Sequence, residues 1–332
     1  MLEKFERVHL ANLPTPLEEA PRFGKAIGLS KLFFKRDDLT GLAGGGNKAR
    51  KLEFDFAEIL KGGYDTVITT GGVQSNHARM TAAAARKLNL DIKLVLGGPD
   101  FKRCEGNLLL DVLFGAEIRF LIDDDENDHL NAAMEKWAEE LRAQGHRPYI
   151  VPIGGSTGLG ALGYVEAMRE LSEQFGQDTV QIVLTVGSCG TYAGVILGAK
   201  LFMPNARIIG ISVSRTAEAI RSCTLEIIEE SKKLLEVNPN IGLNDIEIYE
   251  DYRGTYGVPT KEGKKAVVDC ARMEGVILDL VYTGKAMSGL IDLVSIGKIE
   301  KDIPVIFIHT GGYPSLFSFA DEFSELANIT KY

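Results

Sequence analysis

Gly44-Gly45-Gly46-Asn47-Lys48-Ala49-Arg50-Lys51-Leu52-Glu53 is the stretch that decides how this chain folds, because it joins three consecutive glycines to a lysine and to the start of a helical pattern. Glycine lets the backbone adopt positive φ and lie close against another surface. The apolar residues that follow recur at helical spacing: Ala49, Leu52, Phe54, Phe56, Ala57, Ile59 and Leu60. The pattern therefore predicts a helix that begins near Lys48.

Lys48 is the candidate reactive amine of the chain. The N-terminal end of a helix carries a positive partial charge, and burial also disfavours an ammonium ion, so an amine held there loses some of its proton affinity. Such an amine can form a Schiff base with a carbonyl compound. The same residues also fit a flexible turn with a solvated lysine, and this stretch alone does not decide between the two.

The overall composition narrows the class of protein. Its 332 residues, 45% of them hydrophobic, can bury a large core and usually divide into two domains. A net charge of −9 argues against nucleic acid or anionic membrane as the main partner. The four cysteines lack disulfide or metal spacing, the N-terminus is charged where a signal peptide would be apolar, and no segment reaches the apolar length of a membrane span. These features predict a cytoplasmic protein.

Strand-like and helix-like segments alternate along the chain. The predicted strands cover residues 31–35, 66–69, 92–96, 116–121, 149–151, 181–186, 207–213 and 305–308. Beyond the helix at Lys48, helical patterns cover about 75–88, 105–114, 128–144, 160–175, 191–202, 215–235, 260–274, 284–297 and 315–327. This alternation predicts parallel sheets with covered faces, and the glycine-rich residues 153–160 are the predicted domain boundary.

Two glycine-rich loops that follow predicted strands can bind anions. In residues 71–77, backbone N–H groups and the side chains of Ser75 and Asn76 stand at the start of a helix, which is an anion site. An ordinary N-cap at Ser75 or Asn76 fits the same residues. The second loop consists of small residues, whose backbone amides and hydroxyls can cradle a phosphate: Gly187, Ser188, Cys189, Gly190 and Thr191. Because no base lies near Cys189 in sequence, we interpret it as a small filler residue.

Two further loops, residues 278–285 and 309–314, add polar groups near strand ends, and Tyr256 adds a phenol in a turn. Taken singly, such residues are more often structural than functional. Together they predict a pocket at the carboxyl ends of the strands, where open α/β folds bind ligands. His77 and His309 lack the partner spacing of a metal site, so we expect no bound metal.

Five short motifs carry a resemblance to a known family, and they extend over nearly the whole chain. They are Gly45-Gly46-Asn47-Lys48, Gln74-Ser75-Asn76-His77, Gly187-Ser188-Cys189-Gly190-Thr191, Tyr282-Thr283-Gly284-Lys285 and His309-Thr310-Gly311-Gly312. Their order resembles that of the 1-aminocyclopropane-1-carboxylate (ACC) deaminase/D-cysteine desulfhydrase family. The resemblance implies a pyridoxal-phosphate enzyme of the tryptophan-synthase-β fold (fold type II), commonly a homodimer, that acts on a small amino acid. It also implies two α/β domains around the cofactor, with residues 1–49 and 161–332 in the large domain and 50–160 in the small one.

The resemblance also implies roles for individual residues. The expected catalytic residues are Lys48, as the Schiff-base lysine, with Ser75, Tyr256 and Tyr282. The expected cofactor contacts are Lys48, Asn76, Gly187, Ser188, Cys189, Gly190, Thr191, Thr283 and Thr310. The expected substrate-binding residues are Gln74, Ser75, Asn76 and His77, with the substrate carboxylate at Ser75 and Asn76.

Thr283 and Thr310 help to choose an activity within that family. In the deaminases that open the cyclopropane ring, a glutamate and a leucine stand at these two positions, and the glutamate faces the pyridine nitrogen. A neutral hydroxyl makes the ring a weaker electron sink, which suits the loss of a good leaving group from Cβ. The two threonines therefore resemble D-cysteine desulfhydrase, which gives pyruvate, hydrogen sulfide and ammonia.

Other functions remain open at the level of sequence. The nearest is an L-cysteate sulfo-lyase of the same family, which would need a cation for the sulfonate; Arg79, Arg215 and Arg253 are candidates. ACC deaminase activity fits less well. A non-catalytic nucleotide- or amino-acid-binding protein would use the glycine-rich loops for a ligand, but it leaves the lysine and the two tyrosines unexplained.

Overall fold

Residues 1–124 and 126–326 are described in the computed structural model, and this part of the chain forms two separate sheets. The strands are β1 (Leu17–Glu19), β2 (Leu32–Lys35), β3 (Thr66–Gly72), β4 (Asp91–Gly98), β5 (Glu117–Ile122), β6 (Pro148–Ile150), β7 (Val180–Val186), β8 (Ala206–Ser212), β9 (Glu247–Tyr249) and β10 (Val305–Ile308). The six-stranded sheet has the order β1-β2-β10-β7-β8-β9, and the four-stranded sheet has the order β5-β4-β3-β6.

Both sheets are parallel apart from the edge strand β1, which pairs antiparallel with β2. Every residue of the central strand β7 is buried, as expected for a strand with both faces covered. The alternation of strands and helices in the sequence therefore predicted the sheet type correctly. It missed β1 and β9, which have three residues each and are too short to show a period.

Helices cover the faces of both sheets. They are α1 (Pro21–Ile27), α2 (Lys48–Lys61), α3 (Asn76–Lys87), α4 (Gly106–Leu113), α5 (Asn127–Ala143), α6 (Gly158–Phe175), α7 (Gly190–Phe202), α8 (Ala217–Leu235), α9 (Lys261–Glu274), α10 (Thr283–Ser295) and α11 (Tyr313–Leu316). The predicted helix at Lys48 is confirmed as α2, and the short α1 was not predicted. None of the described helices combines the length and apolar character needed to cross a membrane.

The last predicted helix, residues 315–327, is wrong in its form. The chain instead makes the single turn α11 and then a 3₁₀ segment, Phe317–Leu326, in which Phe319 has a non-helical φ of −115°. The apolar residues here follow helical spacing, but the segment that carries them does not form one regular helix. Residue 327 of the predicted helix lies outside the described residues.

The two sheets draw on different parts of the chain. The strands of the four-stranded sheet come from residues 66–150, and those of the six-stranded sheet come from residues 17–35 and 180–308. Helix α2 packs against α3, which follows a strand of the four-stranded sheet, and against α6, which precedes a strand of the six-stranded sheet. It therefore connects the two parts of the fold. We propose the division expected from the sequence, with residues 50–160 as the small domain; within the proposed large domain, residues 327–332 lie outside the described part.

A buried ionic cluster fixes the first turn of α2. The Arg50 guanidinium donates to both oxygens of Asp37, at 3.0 and 2.9 Å, and to both oxygens of Glu170, at 2.9 Å each. Tyr164 donates to Asp37, and Lys35 donates to Glu170. Burial alone would raise the pKa of Asp37, but Arg50 holds it below its ordinary value of 3.8. The cluster therefore joins α2 to α6 and to the end of β2.

Replacing Arg50 by Met should lower the free energy of unfolding by about 3–5 kcal/mol, because buried Asp37 loses the guanidinium that it binds and Glu170 is left with Lys35. The measurement is urea denaturation of the purified protein. Arg169→Met is the matched control, since the Arg169 side chain is 41% exposed and pairs with Glu166 and with the exposed Glu173; its loss should cost at most about 1 kcal/mol. Equal losses for the two variants would contradict the role assigned to Arg50.

Candidate active site

A cavity of about 870 Å³ opens between the two sheets at the carboxyl ends of their strands. The ends of β3, β4 and β7 all contribute to its wall. The predicted site residues that line it are Lys48, Gln74, Ser75, Asn76, His77, Gly187, Ser188, Cys189, Thr191, Tyr256, Tyr282 and Thr310. Two predicted contacts, Gly190 and Thr283, are not among the residues that line it. The structure thus brings together loops that are more than 200 residues apart in sequence, such as those of Lys48 and Thr310.

The glycine turn before Lys48 is shaped by a close backbone approach. Gly45 has φ of 77°, and a Cβ there would lie 1.8 Å from the carbonyl oxygen of Asp38, so no other residue fits without a shift. Asn47 then ties the turn to two other loops: its N–H donates to the Thr310 carbonyl at 3.0 Å, and its Nδ2 donates to Thr191 Oγ1 at 2.9 Å. Asn47 was quoted as part of a motif, but it was given no role of its own from the sequence.

Lys48 is the first residue of α2, is half-buried and lines the cavity. Its Nζ donates to Asn47 Oδ1 at 3.1 Å. Burial lowers the pKa of Lys48 well below its ordinary value of 10.5, and the positive charges of Lys51 and Arg79 lower it further. These effects favour the neutral amine of Lys48, which is a nucleophile towards a carbonyl group.

The loop of residues 187–191 forms a cradle at the N-terminus of α7. Cys189 is the N-cap residue and holds φ at 71°, which is unusual for a residue other than glycine. A Cβ added to Gly190 would lie 2.9 Å from both Lys51 Nζ and Ser156 Oγ, so a side chain there would fill the cradle. The Gly190 N–H donates to Ser156 Oγ at 3.3 Å, and Ser156 Oγ donates to Ser188 Oγ at 2.9 Å.

Lys51 is the charged group beside this cradle. It is buried, its Nζ lies 3.4 Å from Ser156 Oγ, and burial lowers its pKa. A phosphate would add an anionic partner for Lys51, while helix N–H groups and hydroxyls would bind its oxygens. The residues present thus fit a phosphate. Sequence reasoning missed Lys51 and Ser156, although Lys51 stands three residues after Lys48, on the same face of the predicted helix.

Hydrogen bonds within the loop of residues 74–77, and from this loop to Arg79 and Asn107, hold it in place. Ser75 is the N-cap of α3, and its Oγ accepts from the Ala78 N–H at 3.1 Å, as the N-cap alternative required. Asn76 Oδ1 accepts from Asn107 Nδ2 at 3.0 Å and from Arg79 Nη1 at 3.2 Å. Gln74 bonds the N–H of Asn107 at 2.8 Å. These contacts place the open end of α3, with its positive partial charge, at the cavity wall.

Both candidate histidines are buried and bonded to neutral groups. His77 Nε2 lies 2.8 Å from Thr69 Oγ1, which itself donates to the Val151 carbonyl, so the network assigns the proton to His77 Nε2. Burial, with Lys48 nearby, keeps the pKa of His77 well below its ordinary value. His309 Nε2 lies 2.9 Å from the Ile277 carbonyl and outside the cavity lining. Over residues 1–124 and 126–326, no group of three or more potential metal ligands is present.

Two tyrosines meet at the cavity wall. Tyr256 Oη and Tyr282 Oη are 2.5 Å apart and share a hydrogen bond. Burial raises the pKa of Tyr282 well above its ordinary value of 10.0, so this phenol stays protonated. The loop that carries Tyr256 is held by buried Lys285, whose Nζ donates to the carbonyl oxygens of Arg253 and Thr255 at 2.6 and 2.8 Å. Sequence reasoning did not assign this role to Lys285.

Known proteins share this architecture. The family model of the pyridoxal-phosphate dependent enzymes matches residues 8–311. A solved structure described as an ACC deaminase homologue is 41% identical over 98% of each chain, with a TM-score of 0.91. The processed form of threonine deaminase isoform 2 from Solanum lycopersicum is 18% identical over 96% of this chain and 85% of that chain (TM-score 0.65). An O-ureido-L-serine synthase mutant with O-ureido-L-serine bound is 14% identical over 97% of this chain and 94% of that chain (TM-score 0.69).

The chain belongs to the pyridoxal-phosphate dependent enzyme family. The two more distant structures support the fold alone, and with the parallel sheets they confirm the predicted fold type II architecture. Members of this family bind pyridoxal phosphate, which confirms the predicted cofactor and agrees with the cradle around Gly190 and Lys51. The predicted relation to the ACC deaminases is confirmed at the level of a related structure.

Reductive amination should attach pyridoxal phosphate to Lys48 in preference to exposed lysines. Because burial lowers the pKa of Lys48, its neutral amine persists as the pH falls, and labelling at Lys48 should persist with it. Incubation with pyridoxal phosphate and cyanoborohydride, from alkaline to mildly acidic pH, followed by peptide mass spectrometry measures the label at each site. The matched position is Lys61 at the other end of α2, whose side chain is 74% exposed. Equal labelling of Lys48 and Lys61 at every pH would contradict the proposed environment.

Proposed function

We propose that this chain is a pyridoxal-phosphate dependent lyase that eliminates the Cβ substituent of a small amino acid. D-cysteine is the proposed substrate, and the products are pyruvate, hydrogen sulfide and ammonia. The observation that carries the choice of elimination is the uncharged residue Thr283, which follows Tyr282 at the N-terminal end of α10. The family membership supports the cofactor and the class of chemistry, and the choice of substrate rests on this end of the site.

The carboxylate nearest to Thr283, that of Asp279, already accepts hydrogen bonds at both of its oxygens. Asp279 Oδ1 accepts from the Thr283 N–H at 2.8 Å and from its hydroxyl at 2.7 Å, and Oδ2 accepts from the N–H groups of Val281 and Tyr282 at 2.8 and 2.9 Å. Four donors therefore occupy Asp279, and the residue that follows Tyr282 is uncharged. Elsewhere in the described lining, the carboxylates stand on surface segments: Asp100, Glu105 and Asp321.

The absence of a free carboxylate at this end of the described site favours β-elimination. Pyridoxal phosphate, when bound, supplies an electron sink for the Cα of an amino acid, and a protonated ring nitrogen would make that sink stronger. Thr310, which lines the cavity, is uncharged, as is the leucine at this position in those deaminases, so the difference in charge lies at Thr283. Opening a cyclopropane ring needs the stronger sink, whereas a thiolate leaves Cβ readily. Thr283 supports this argument only by being uncharged, because its side chain faces Asp279.

The protein residues would act in the following way. The cradle of residues 187–191 and Lys51 would hold the phosphate, and the N-terminus of α3 at Ser75 and Asn76 would bind the substrate carboxylate. The neutral Lys48 amine would take the proton from Cα. The Tyr256–Tyr282 pair would donate a proton to the departing sulfur, since the Tyr282 phenol stays protonated.

An L-cysteate sulfo-lyase is the second candidate, and one observation favours it. Arg215 lines the cavity and offers a cation for a sulfonate. The other two candidate arginines do not line the cavity: Arg79 is fully buried, with Nη2 donating to the Gly45 carbonyl at 2.8 Å, and Arg253 is outside the lining. This activity would release sulfite in place of hydrogen sulfide.

The proposal includes a homodimer. Helix α4 exposes Leu109, Val112 and Leu113 to solvent, with Leu113 at 69%, and α11 packs against this helix. Exposed apolar side chains grouped on one helix are typical of a surface that another chain covers.

A cytoplasmic location stays a prediction from the sequence.

Product analysis tests the proposed function. The cofactor-loaded protein is mixed separately with D-cysteine, L-cysteine, L-cysteate and ACC, and sulfide, sulfite, pyruvate and α-ketobutyrate are measured. We expect sulfide and pyruvate from D-cysteine.

Tyr282→Phe should keep the cofactor and lower kcat by about 100-fold, because one proton donor is lost.

Two outcomes would redirect the assignment. Sulfite from L-cysteate at a much higher kcat/KM would leave the fold, cofactor and Lys48 in place and select the second candidate. α-Ketobutyrate from ACC would contradict the argument from Thr283 and Thr310. Lys48→Ala is the control that removes enzymatic turnover in every case, and retained turnover would contradict the whole proposal.

A further inference from the structure

A buried arginine, Arg79 of α3, connects two parts of the site. Its side chain is fully buried and is not among the residues that line the cavity. Its Nη2 donates to the Gly45 carbonyl, in the turn before Lys48, at 2.8 Å, and its Nη1 donates to Asn76 Oδ1 at 3.2 Å. One guanidinium therefore contacts both the turn that carries the reactive amine and the proposed site for the substrate carboxylate.

Asn107 of α4 completes this network and fixes the direction of the Asn76 amide. Arg79 Nη1 also donates to Asn107 Oδ1 at 3.0 Å, so the other end of the Asn107 amide, Nδ2, is a donor. This Nδ2 donates to Asn76 Oδ1 at 3.0 Å and to the Gln74 carbonyl at 2.8 Å. Asn76 Oδ1 thus accepts from two donors, and the Nδ2 end of its amide is the end that can donate to an anion in the cavity.

The glycine turn packs closely against α3. A Cβ added to Gly46 would lie 3.1 Å from Met80 Sδ and 3.6 Å from Arg79 Nη2, and the φ of Gly46 is 138°. The hydrogen bond from Arg79 to the Gly45 carbonyl lies at the same contact. Because Gly45 stands three residues before Lys48, this bond helps to fix where α2 and its amine begin.

Arg79 also brings a positive charge to the site. Burial lowers its pKa to about 10, and Asp111 of α4 and Tyr313 of α11 are the titratable groups that oppose this shift. Arg79 is therefore charged at neutral pH. After burial and Lys51, this charge is the third cause of the lowered pKa of Lys48.

We propose that Arg79 is a positioning residue of this site: it orients the Asn76 amide, so that its N–H donors face the substrate carboxylate, and it holds the turn that places Lys48. The inference rests on the roles proposed above for Lys48 and Asn76. It does not depend on which amino acid is the substrate, because every candidate substrate carries the same carboxylate.

Two substitutions separate the geometry of Arg79 from its charge. Arg79→Lys keeps a positive charge, but a compact ammonium on a flexible stem does not reproduce the planar fork that reaches Gly45, Asn76 and Asn107. Arg79→Met removes both the hydrogen bonds and the charge. If Arg79→Met does not fold, the double variant Arg79→Met/Asp111→Asn replaces it, because it leaves no buried carboxylate without its cation.

Arg86 provides the matched control on the same helix. It also joins α3 to the residues that follow α4, with Nε donating to the Phe114 carbonyl and Nη2 to the Gly115 carbonyl, each at 2.8 Å. In contrast to Arg79, it is exposed, and it lies outside the cavity lining. Arg86→Met therefore shows what the loss of a structural arginine between these two helices does.

Steady-state kinetics of the cofactor-loaded protein test the contact with Asn76. We expect both Arg79→Lys and Arg79→Met to raise KM for the amino acid by about tenfold per bound cofactor, the effect of one lost charge-assisted hydrogen bond. Arg86→Met should keep the wild-type KM. The amino acid is D-cysteine, or whichever of the four compounds tested above the wild type converts.

Reductive labelling of Lys48 in the full chain, with pyridoxal phosphate and cyanoborohydride, tests the contact with the turn. Arg79→Lys keeps the charge, so a rise in the pH that labelling requires reports a more hydrated Lys48 in a loosened turn. We expect this rise, and a larger one in Arg79→Met, where the charge is lost as well. Arg86→Met should follow the wild type.

The proposal fails if Arg79→Lys keeps either the wild-type KM or the wild-type labelling of Lys48, because Arg79 would then not link the two parts of the site. It also fails if Arg86→Met shifts both quantities as far as the Arg79 variants do, which is the result of a purely structural effect. A wild type that converts none of the four amino acids would contradict the proposed function, whereas the labelling of Lys48 would still decide whether Arg79 holds the turn.

Discussion

The buried guanidinium of Arg50 is the interaction on which the site depends most. It stands two residues after Lys48 and makes paired hydrogen bonds to Asp37 and to Glu170, which belong to other elements of the fold. A buried cation between two carboxylates tolerates little movement, because any shift leaves a desolvated charge without its partner. The start of α2, and with it the Lys48 amine, is thereby fixed relative to α6 and β2. The glycine turn before Lys48 adds a second constraint through Gly45, whose lack of Cβ allows contact with Asp38.

Burial of basic groups gives this site its chemistry. Lys48 and Lys51 lie one turn apart on α2, and burial lowers the pKa of each. Their proposed functions nevertheless differ, because Lys48 lines the cavity while Lys51 faces the cradle at Gly190. One helix end can therefore place a nucleophilic amine and a phosphate-binding amine a few ångströms apart. The N-terminus of α7 would add its positive partial charge to the same cradle.

The sequence predicted the parts of this protein that are local. Strands such as β3 and β7, each followed by a glycine-rich loop and a helix, are visible as periodic patterns, and the pocket follows from where parallel strands end. The long-range partners could not be predicted in this way. Arg50 meets Glu170, 120 residues away, and Ser156 meets Ser188 across the proposed domain boundary. No pattern in a single sequence encodes such pairs, since they depend on how the two layers pack.

Thr283 illustrates the same limit at a single position. The resemblance predicted a hydroxyl of Thr283 at the cofactor ring; in the structure its side chain donates to Asp279 and is not among the residues that line the cavity. A hydroxyl at the first turn of a helix readily binds a nearby carboxylate, and this local bond competes with any contact across the cavity. The geometry therefore supports only the lack of charge at Thr283, and it does not show a contact of its hydroxyl across the cavity.

The central claim is that Lys48 exchanges a proton with the Cα of an amino acid held in this cavity. D-Alanine separates that step from elimination, because it has no leaving group at Cβ. The cofactor-loaded protein is incubated with D-alanine in deuterium oxide, and the Cα hydrogen is followed by proton NMR. We predict loss of the Cα signal with the wild type and with Lys61→Ala, and its retention with Lys48→Ala supplied with pyridoxal phosphate. Exchange by Lys48→Ala at the wild-type rate would contradict the claim.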